Sequence, residues 1–436
     1  MLEVFTSIWQ AFTEKLPAIL PVLLKILEDW WWLPALLVFF YYLKMLYLYF
    51  IQERWDAKRP NILLEIKLPK EVERPIKAME NIFANLWAIY DPPNWKEKWI
   101  EGQFLLSFSF EIAGIGGVPH FYIRTRKMFK NVVESAIYSQ YSDAEITEAE
   151  DYTKKVPQDI PNKEWDLFGT SFKLEKSDVY PIRTYTKFFE EKPEIKEEKR
   201  IDPLSSLLDG IATLKPEEQL WVQIITKPIT IGEDGEKKLV EEGKKIVDEL
   251  AKRPKKTEPK PILREAAEVL ILGPPKEEKK KEEIFAGPEI LLTPGEKEVL
   301  KGIEEKISKY AYDCTIRWIY LGKRDVFLKA MARIPFGFFT SFNTVNLNAL
   351  RVDRNTLTKV TYFFKKRRVY LKARRLFRYY QLRLPPYFPL GGGTFVLNNE
   401  ELATIYHLPG RVVAPAPTIP RVEAKKGEPP PTLPVE

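Results

Sequence analysis

FLLSFSFEIAGIGGVPHFYIRT, Phe104 to Thr125, decides how this chain folds. Phe104 to Ile112 has the apolar and β-branched content of a strand, and so does Val118 to Thr125. Gly114, Gly116 and Gly117 between them supply the positive backbone angles of a tight turn, so the stretch reads as a β-hairpin. Outward toward the C-terminus, Phe129, Val132, Val133, Ala136, Ile137 and Tyr141 recur at helical spacing, and Ala144 to Ala149 follows as a strand. Outward toward the N-terminus, Ile76, Met79, Ile82, Phe83, Leu86 and Ile89 mark a helix opened by Pro75. Before it, Asn61 to Leu68 alternates as a strand. The order is βαββαβ, so residues 61–152 are expected as a ferredoxin-like α+β domain.

The same order returns over residues 163–350. Trp165 to Leu174 is strand-like, and a helix covers Pro203 to Leu214 with Asp202 as its N-cap. Gln219 to Ile229 and Tyr312 to Tyr320 are strands, and a helix is expected over Val326 to Arg333. The echo predicts a second ferredoxin-like unit, interrupted by a charged insertion over residues 234–293. Within the insertion lie a charged helix, Gly235 to Arg253, and the runs RPKKTEPKP and GPPKEEKKKEE, which read as solvated linkers. Thr293, Pro294 and Glu296 form the signature of a capping box opening the next helix. Residues 387–436 read as a Gly/Pro-rich tail. The fold class expected is α+β, two ferredoxin-like βαββαβ units behind a transmembrane helix.

That helix is WWWLPALLVFFYYLKMLYLYF, Trp30 to Phe50, within residues 30–51. About 20 apolar residues cross a bilayer. Trp30 to Trp32 and Tyr47, Tyr49, Phe50 and Trp55 place aromatic rings at both interfaces, and Lys44 snorkels to the nearer one. Only Lys15 and Lys25 precede the span, whereas Arg54, Lys58, Arg59, Lys67, Lys70 and Arg74 follow it. The positive-inside rule then predicts a single pass through the cell (inner) membrane, N-terminus outside and the C-terminal bulk cytoplasmic. Residues 1–29 do not read as a cleaved leader, and Leu16 to Leu27 reads as an interfacial amphipathic segment on the outer leaflet.

The chain has 436 residues, 45% of them hydrophobic, which suffices for large cores. Its one cysteine, Cys314, forbids an internal disulfide, and the two histidines, His120 and His407, leave little for a zinc site. His120 is expected as a structural histidine and Cys314 as a buried small residue. No phosphate-binding G-x-x-x-x-G-K-[ST], no G-x-S-x-G and no H-E-x-x-H occurs, and Gly391 to Gly393 lacks the strand and helix that a phosphate cradle needs. No catalytic residue, metal ligand or cofactor is therefore assigned.

What stands out chemically is residues 351–386. Between Arg351 and Arg383, 12 Lys or Arg residues face one acid, Asp353, with aromatics interleaved. The candidate binding residues are Lys365, Lys366, Arg367, Arg368, Lys372, Arg374, Arg375 and Arg378, with Tyr362, Phe364 and Tyr370. Three readings stand: cations on phosphates with rings stacked on single-stranded bases, an interfacial helix on anionic lipid, or a helix packing its rings inward and keeping its charges wet.

The patches FEIAGIGGVPHFYIRTRKMFKNVVESAIYSQY, EITEAEDY, DPLSSLLDGIATLKPEEQLWVQI, LNNEELATIYHLPG and RVEAKKGEPPPTLP resemble the membrane-anchored region ahead of the motor in ATPases of the type IV secretion and conjugation coupling class. In those relatives an ATPase domain follows the ELATIYHLPG-like segment, whereas this chain ends at Glu436. The resemblance implies a non-enzymatic scaffold on the cytoplasmic face that docks a separate P-loop ATPase; DNA or anionic lipid, and further copies of the chain, are the other candidate partners. The alternative is a membrane-tethered enzyme whose site carries no known motif.

Overall fold

The computed structural model describes residues 32–69, 74–188, 202–232, 235–251, 292–388 and 391–409, and positions 21, 25, 28 and 29 besides. The chain divides into two compact units, residues 1–60 with 92–104, and residues 61–91 with the rest. The segment expected as interfacial (16–27), the linker runs of the insertion (252–291) and residues 410–436 lie outside the described positions, apart from 21 and 25.

In the first unit, helix α1 spans Trp32–Ala57, 26 residues. At 1.5 Å per residue it is about 39 Å long, enough for a hydrocarbon layer of about 30 Å. Its stretch Ala35–Ala57 is long and apolar enough to cross a membrane. Phe39, Phe40, Tyr41, Tyr42, Leu46 and Phe50 all stand exposed.

The second unit is an antiparallel sheet. Its elements are β1 (Asn61–Lys67), α2 (Lys77–Trp87), β2 (Phe108–Ile115), β3 (Val118–Arg126), α3 (Lys130–Tyr138), β4 (Glu145–Ala149), β5 (Trp165–Leu174), α4 (Ser205–Ala212) and β6 (Glu218–Ile229). There follow α5 (Leu239–Leu250), α6 (Pro294–Ile307), β7 (Ala311–Lys323), α7 (Arg333–Thr340), β8 (Leu350–Val352), α8 (Lys365–Leu382), β9 (Phe395–Asn398) and α9 (Asn399–Ile405). Ile115 pairs with Val118, so the β2–β3 loop is Gly116-Gly117 alone, at φ +55° and +87°. Two consecutive positive φ values give the turn whose twist suits a hairpin, and only glycine takes both without strain.

The strands run in the order β4-β1-β3-β2-β6-β7-β5-β8, with β9 beside β7. β2 and β6 pair over their whole length, from Phe108 opposite Thr226 to Ile115 opposite Gln219. That pairing joins the strands expected for the first unit to those expected for the second. The free edge that β2 would present is consumed by β6, and one continuous sheet results.

One face of the sheet, with Leu64, Phe110, Ile112, Ile123, Val222, Ile224, Ile316 and Trp318, packs into one core with buried residues of α2, α3, α4, α7 and α9. The other face, with Leu63, Ala113, Trp221, Ile319 and Leu321, lies under Ala373, Leu376, Phe377 and Tyr380 of α8. Two expectations change. The helix placed at Val326 to Arg333 instead occupies Arg333–Thr340. Pro335 looks like a terminator but sits in the first turn, where its missing N–H has no partner to lose. Within the expected tail, Phe395–Asn398 pairs with β7, and every residue of α9 is buried. A capping box, Asn398 with Glu401, opens α9. The capping box read at Thr293 and Glu296 opens α6 as expected.

Candidate cationic and aromatic surface

Helix α8 carries the candidate residues except Tyr362 and Phe364, which precede it. Its apolar residues at 373, 376, 377 and 380 follow helical spacing and turn onto the sheet. Its start breaks the usual rules. Phe364 precedes it in the left-handed region (φ 57°), no side chain caps it, and no acid lies in its first turn. Lys365, Lys366, Arg367 and Arg368 fill that turn and are all exposed. Cations at the positive end of a helix are each unfavourable by about 0.3–1 kcal/mol. Local rules are broken most often where function requires it.

The structure gathers only part of the predicted set. The Arg368 guanidinium lies 4.8 Å over the Tyr362 ring. Phe364 is 78% exposed, and its neighbour Phe363, absent from the predicted set, is 85% exposed. Arg374 donates to the Asp159 carbonyl (3.2 Å) and contacts the Tyr370 hydroxyl (3.2 Å). Arg375 stacks on Tyr379 at 5.0 Å, and Arg378 is exposed. Lys372 turns the other way, donating to the carbonyls of Arg354 (2.9 Å) and Leu357 (3.3 Å). The rings of Phe377 and Tyr380 are core. The outward surface is thus an apolar tip, Tyr362 to Phe364, followed by four cations and then a cationic stripe.

At its other end α8 is locked by a buried network that sequence reasoning missed. In register across the sheet, Glu65, Tyr122, Glu111, Gln223, Arg317 and Ser171 form one polar row on the α8 side. Arg383 follows α8 at φ +55° and reaches down to this row. Its Nε and Nη2 donate to Glu111 at 3.0 and 3.1 Å, and its Nη1 and Nη2 to Asp151 at 2.5 and 3.1 Å. Glu111 also accepts from Ser109 (2.5 Å), Tyr152 (2.7 Å) and Gln223 (2.9 Å). Burial pushes the Glu111 and Asp151 carboxyls up, but Arg383 outweighs it and holds both below the ordinary carboxylate range. Burial pushes Arg317 down to about 10, and one of its nitrogens donates to the Leu384 carbonyl just beyond Arg383. Arg383 and Glu111 are 272 positions apart, so no local pattern announces the pair.

The two histidines are also engaged. His120 Nδ1 meets Glu65 at 2.7 Å, and His407 Nε2 meets Asp202 at 2.8 Å, with Nδ1 on the Ala403 carbonyl at 2.9 Å. Cys314 is buried. Among the described residues no group of acids, histidines or cysteine could hold a metal ion.

The fold and this surface define a class: an antiparallel α+β body faced by a cationic helix, in a chain that also carries an apolar helix of membrane length. Residues 64–415 match the model of the family described as Domain of unknown function (DUF8128), and the chain belongs to that family. No curated protein matches the chain.

Proposed function

We propose that this protein is a single-pass membrane scaffold that carries its α+β body on the cytoplasmic side and contacts a polyanion through α8. The observation that carries the reading is α1, whose membrane-length apolar surface stands exposed. A core helix of a soluble body would bury that surface. Three carboxylates of the body support a structural role over a catalytic one. Glu111, Asp151 and Asp202 are held below the ordinary carboxylate range by Arg383 and His407, whereas a general acid needs a pKa raised toward the working pH. Glu401, which burial pushes up, is engaged by Lys306 at 3.1 Å and by the capping box of α9. Docking of a separate P-loop ATPase rests on the sequence resemblance alone.

The same reading includes two fused ferredoxin-like units. Strands β4-β1-β3-β2 follow the order 4-1-3-2 of a βαββαβ unit, and β8-β5-β7-β6 repeat it. The seam is the β2–β6 pair.

The test is topological. A reporter active only in the cytoplasm, fused after Glu436, is expected to be active, because six cations follow the span and two precede it. Activity of an exported reporter at the same position would overturn the orientation and with it any cytoplasmic partner.

A further inference from the structure

Between α2 and β2 the chain leaves the sheet for the segment PPNWKEKWIEGQF, Pro92 to Phe104, which belongs to the α1 unit. Asn94 and Glu97 open it reciprocally: the Asn94 backbone N–H donates to the Glu97 carboxylate (2.9 Å), and the Glu97 backbone N–H to the Asn94 side-chain Oδ1 (3.0 Å). One wide helical turn, Glu97–Glu101, follows and ends at Gly102 with φ +79°. Gly102 is required twice over. Its angle is left-handed, and a Cβ there would stand 2.3 Å from the Ile51 carbonyl oxygen.

The segment is thereby pressed along one stripe of α1. Tyr47 donates its hydroxyl to the Trp99 carbonyl at 3.0 Å, and the Lys44 ammonium lies 4.8 Å over the Trp99 ring. Further along, the Trp55 and Phe104 rings meet at 5.2 Å. Positions 44, 47, 51 and 55 share a helix face, and from Lys44 to Ile51 the contact covers about 10 Å of axis. The other side of the segment is bare. Trp95 is 72% exposed and Ile100 57%, and the α1 side chains Leu43, Leu46 and Phe50 are exposed as well.

We propose that Pro92 to Phe104 is a second membrane-contacting element, lying in the headgroup layer of the bilayer that α1 crosses, with Trp95 and Ile100 inserted among lipid. The proposal rests on the reading of α1 as a membrane span. Three features point to lipid. Trp95 and Ile100 stand exposed in a segment that packs along α1, whose own apolar side chains are exposed over the same stretch. Indole rings with adjacent lysines, here Trp95 and Trp99 with Lys96 and Lys98, suit the interface, where one edge is wet. Lys44, the only charge within the apolar run Trp30 to Phe50, receives a ring partner from this segment at the depth where a lysine would otherwise have to snorkel. The segment therefore fixes how far α1 sits in the bilayer.

The test uses the full chain reconstituted into phosphatidylcholine vesicles. Cys314 is buried, so a cysteine introduced at the surface takes an environment-sensitive fluorophore selectively. Labels go at Trp95→Cys and Ile100→Cys, at Phe39→Cys as the reporter of the span, and at Lys245→Cys as the reporter of water. Expected are blue-shifted emission at 95 and 100 and ~2-fold quenching by lipid brominated near the headgroup end of its chains, with position 245 unaffected. Position 39 is expected to respond to bromine deeper in the chain. Gly102→Ala should abolish the response at 95 and 100 while sparing 39. If 39 lies in lipid while 95 and 100 report water, the proposal falls and the span stands. If 39 also reports water, the span reading fails and takes the proposal with it. Blue-shifted labels at 95 and 100 that bromine does not quench would mean that protein covers the patch, which also overturns the proposal.

Discussion

Two residues show how the body fixes its charges. Arg383 occupies a left-handed position that costs an L-residue roughly 1–2 kcal/mol, and it stays because its guanidinium pairs with Glu111 and Asp151. Arg383→Ala strands a buried carboxylate and is expected to cost about 3–5 kcal/mol in urea titration of the full chain in micelles. Arg383→Gly should cost about 1 kcal/mol less, since glycine accepts the angle; equal losses would refute the strain. His407 gives a pH signature. Burial alone would lower its pKa, but Asp202 and the Ala403 carbonyl outweigh it and raise it above 6.5. The folded state then keeps a proton that the unfolded state gives up. The stabilisation is complete below about pH 6.5 and is lost as pH rises through the raised value. Asp202 moves the opposite way: burial pushes it up, His407 pulls it below 3.8, and its share is lost only as pH falls through that lowered value. The difference in Tm between the wild type and His407→Gln should therefore shrink from mildly acidic to alkaline pH. A difference that grows would contradict the assignment.

Among the elements, the legible ones carry their own punctuation. Thr293-Pro294 with Glu296 three residues on announced α6, and the paired glycines announced the β2–β3 turn. Helix α7 was misplaced because Pro335 stops a helix in most positions but not in its first turn. Strand β9 was missed because a short segment among glycines and prolines becomes a strand only when β7 offers its edge beyond the end of β5. The cationic character of α8 was legible; its inward stripe, Ala373, Leu376, Phe377 and Tyr380, was not singled out. Which rings stay outside was not legible, since exposure of Phe363 and burial of Phe377 depend on the sheet beneath. The α8 start yields a paired expectation. Changing Lys365, Lys366, Arg367 and Arg368 to Ala removes repulsion from the helix dipole and should raise stability by roughly 1 kcal/mol at low salt, less at high salt. The same change should weaken a polyanion contact. For single-stranded DNA the log–log salt slope, about −0.7 per phosphate, should shrink by several units, whereas for anionic vesicles about 1 kcal/mol per charge should be lost. Anisotropy at two salt concentrations beside vesicle sedimentation separates the two. Unchanged stability and unchanged binding would leave α8 a plain solvated surface.

For the body as a whole, the question is whether the two repeats of strand order behave as two domains or one. Their seam is a full antiparallel pairing of β2 with β6, and Phe110, Ile112, Val222 and Ile224 beside it belong to one buried cluster with Ile316 and Trp318. Other ties cross the same division. Tyr406, behind α9, donates to the Tyr122 carbonyl of β3 at 3.2 Å. Glu80 of α2 accepts from Tyr185 at 2.8 Å and from Lys309 at 3.1 Å. Neither half could open without exposing apolar core and breaking buried hydrogen bonds of the other. We therefore expect the body to unfold in a single cooperative transition, coincident by tryptophan fluorescence and far-ultraviolet circular dichroism. Ile224→Ala, at the seam, should cost about 2–5 kcal/mol and shift both probes together. Two resolved transitions, only one of them moved by that substitution, would show that the seam joins two independent domains.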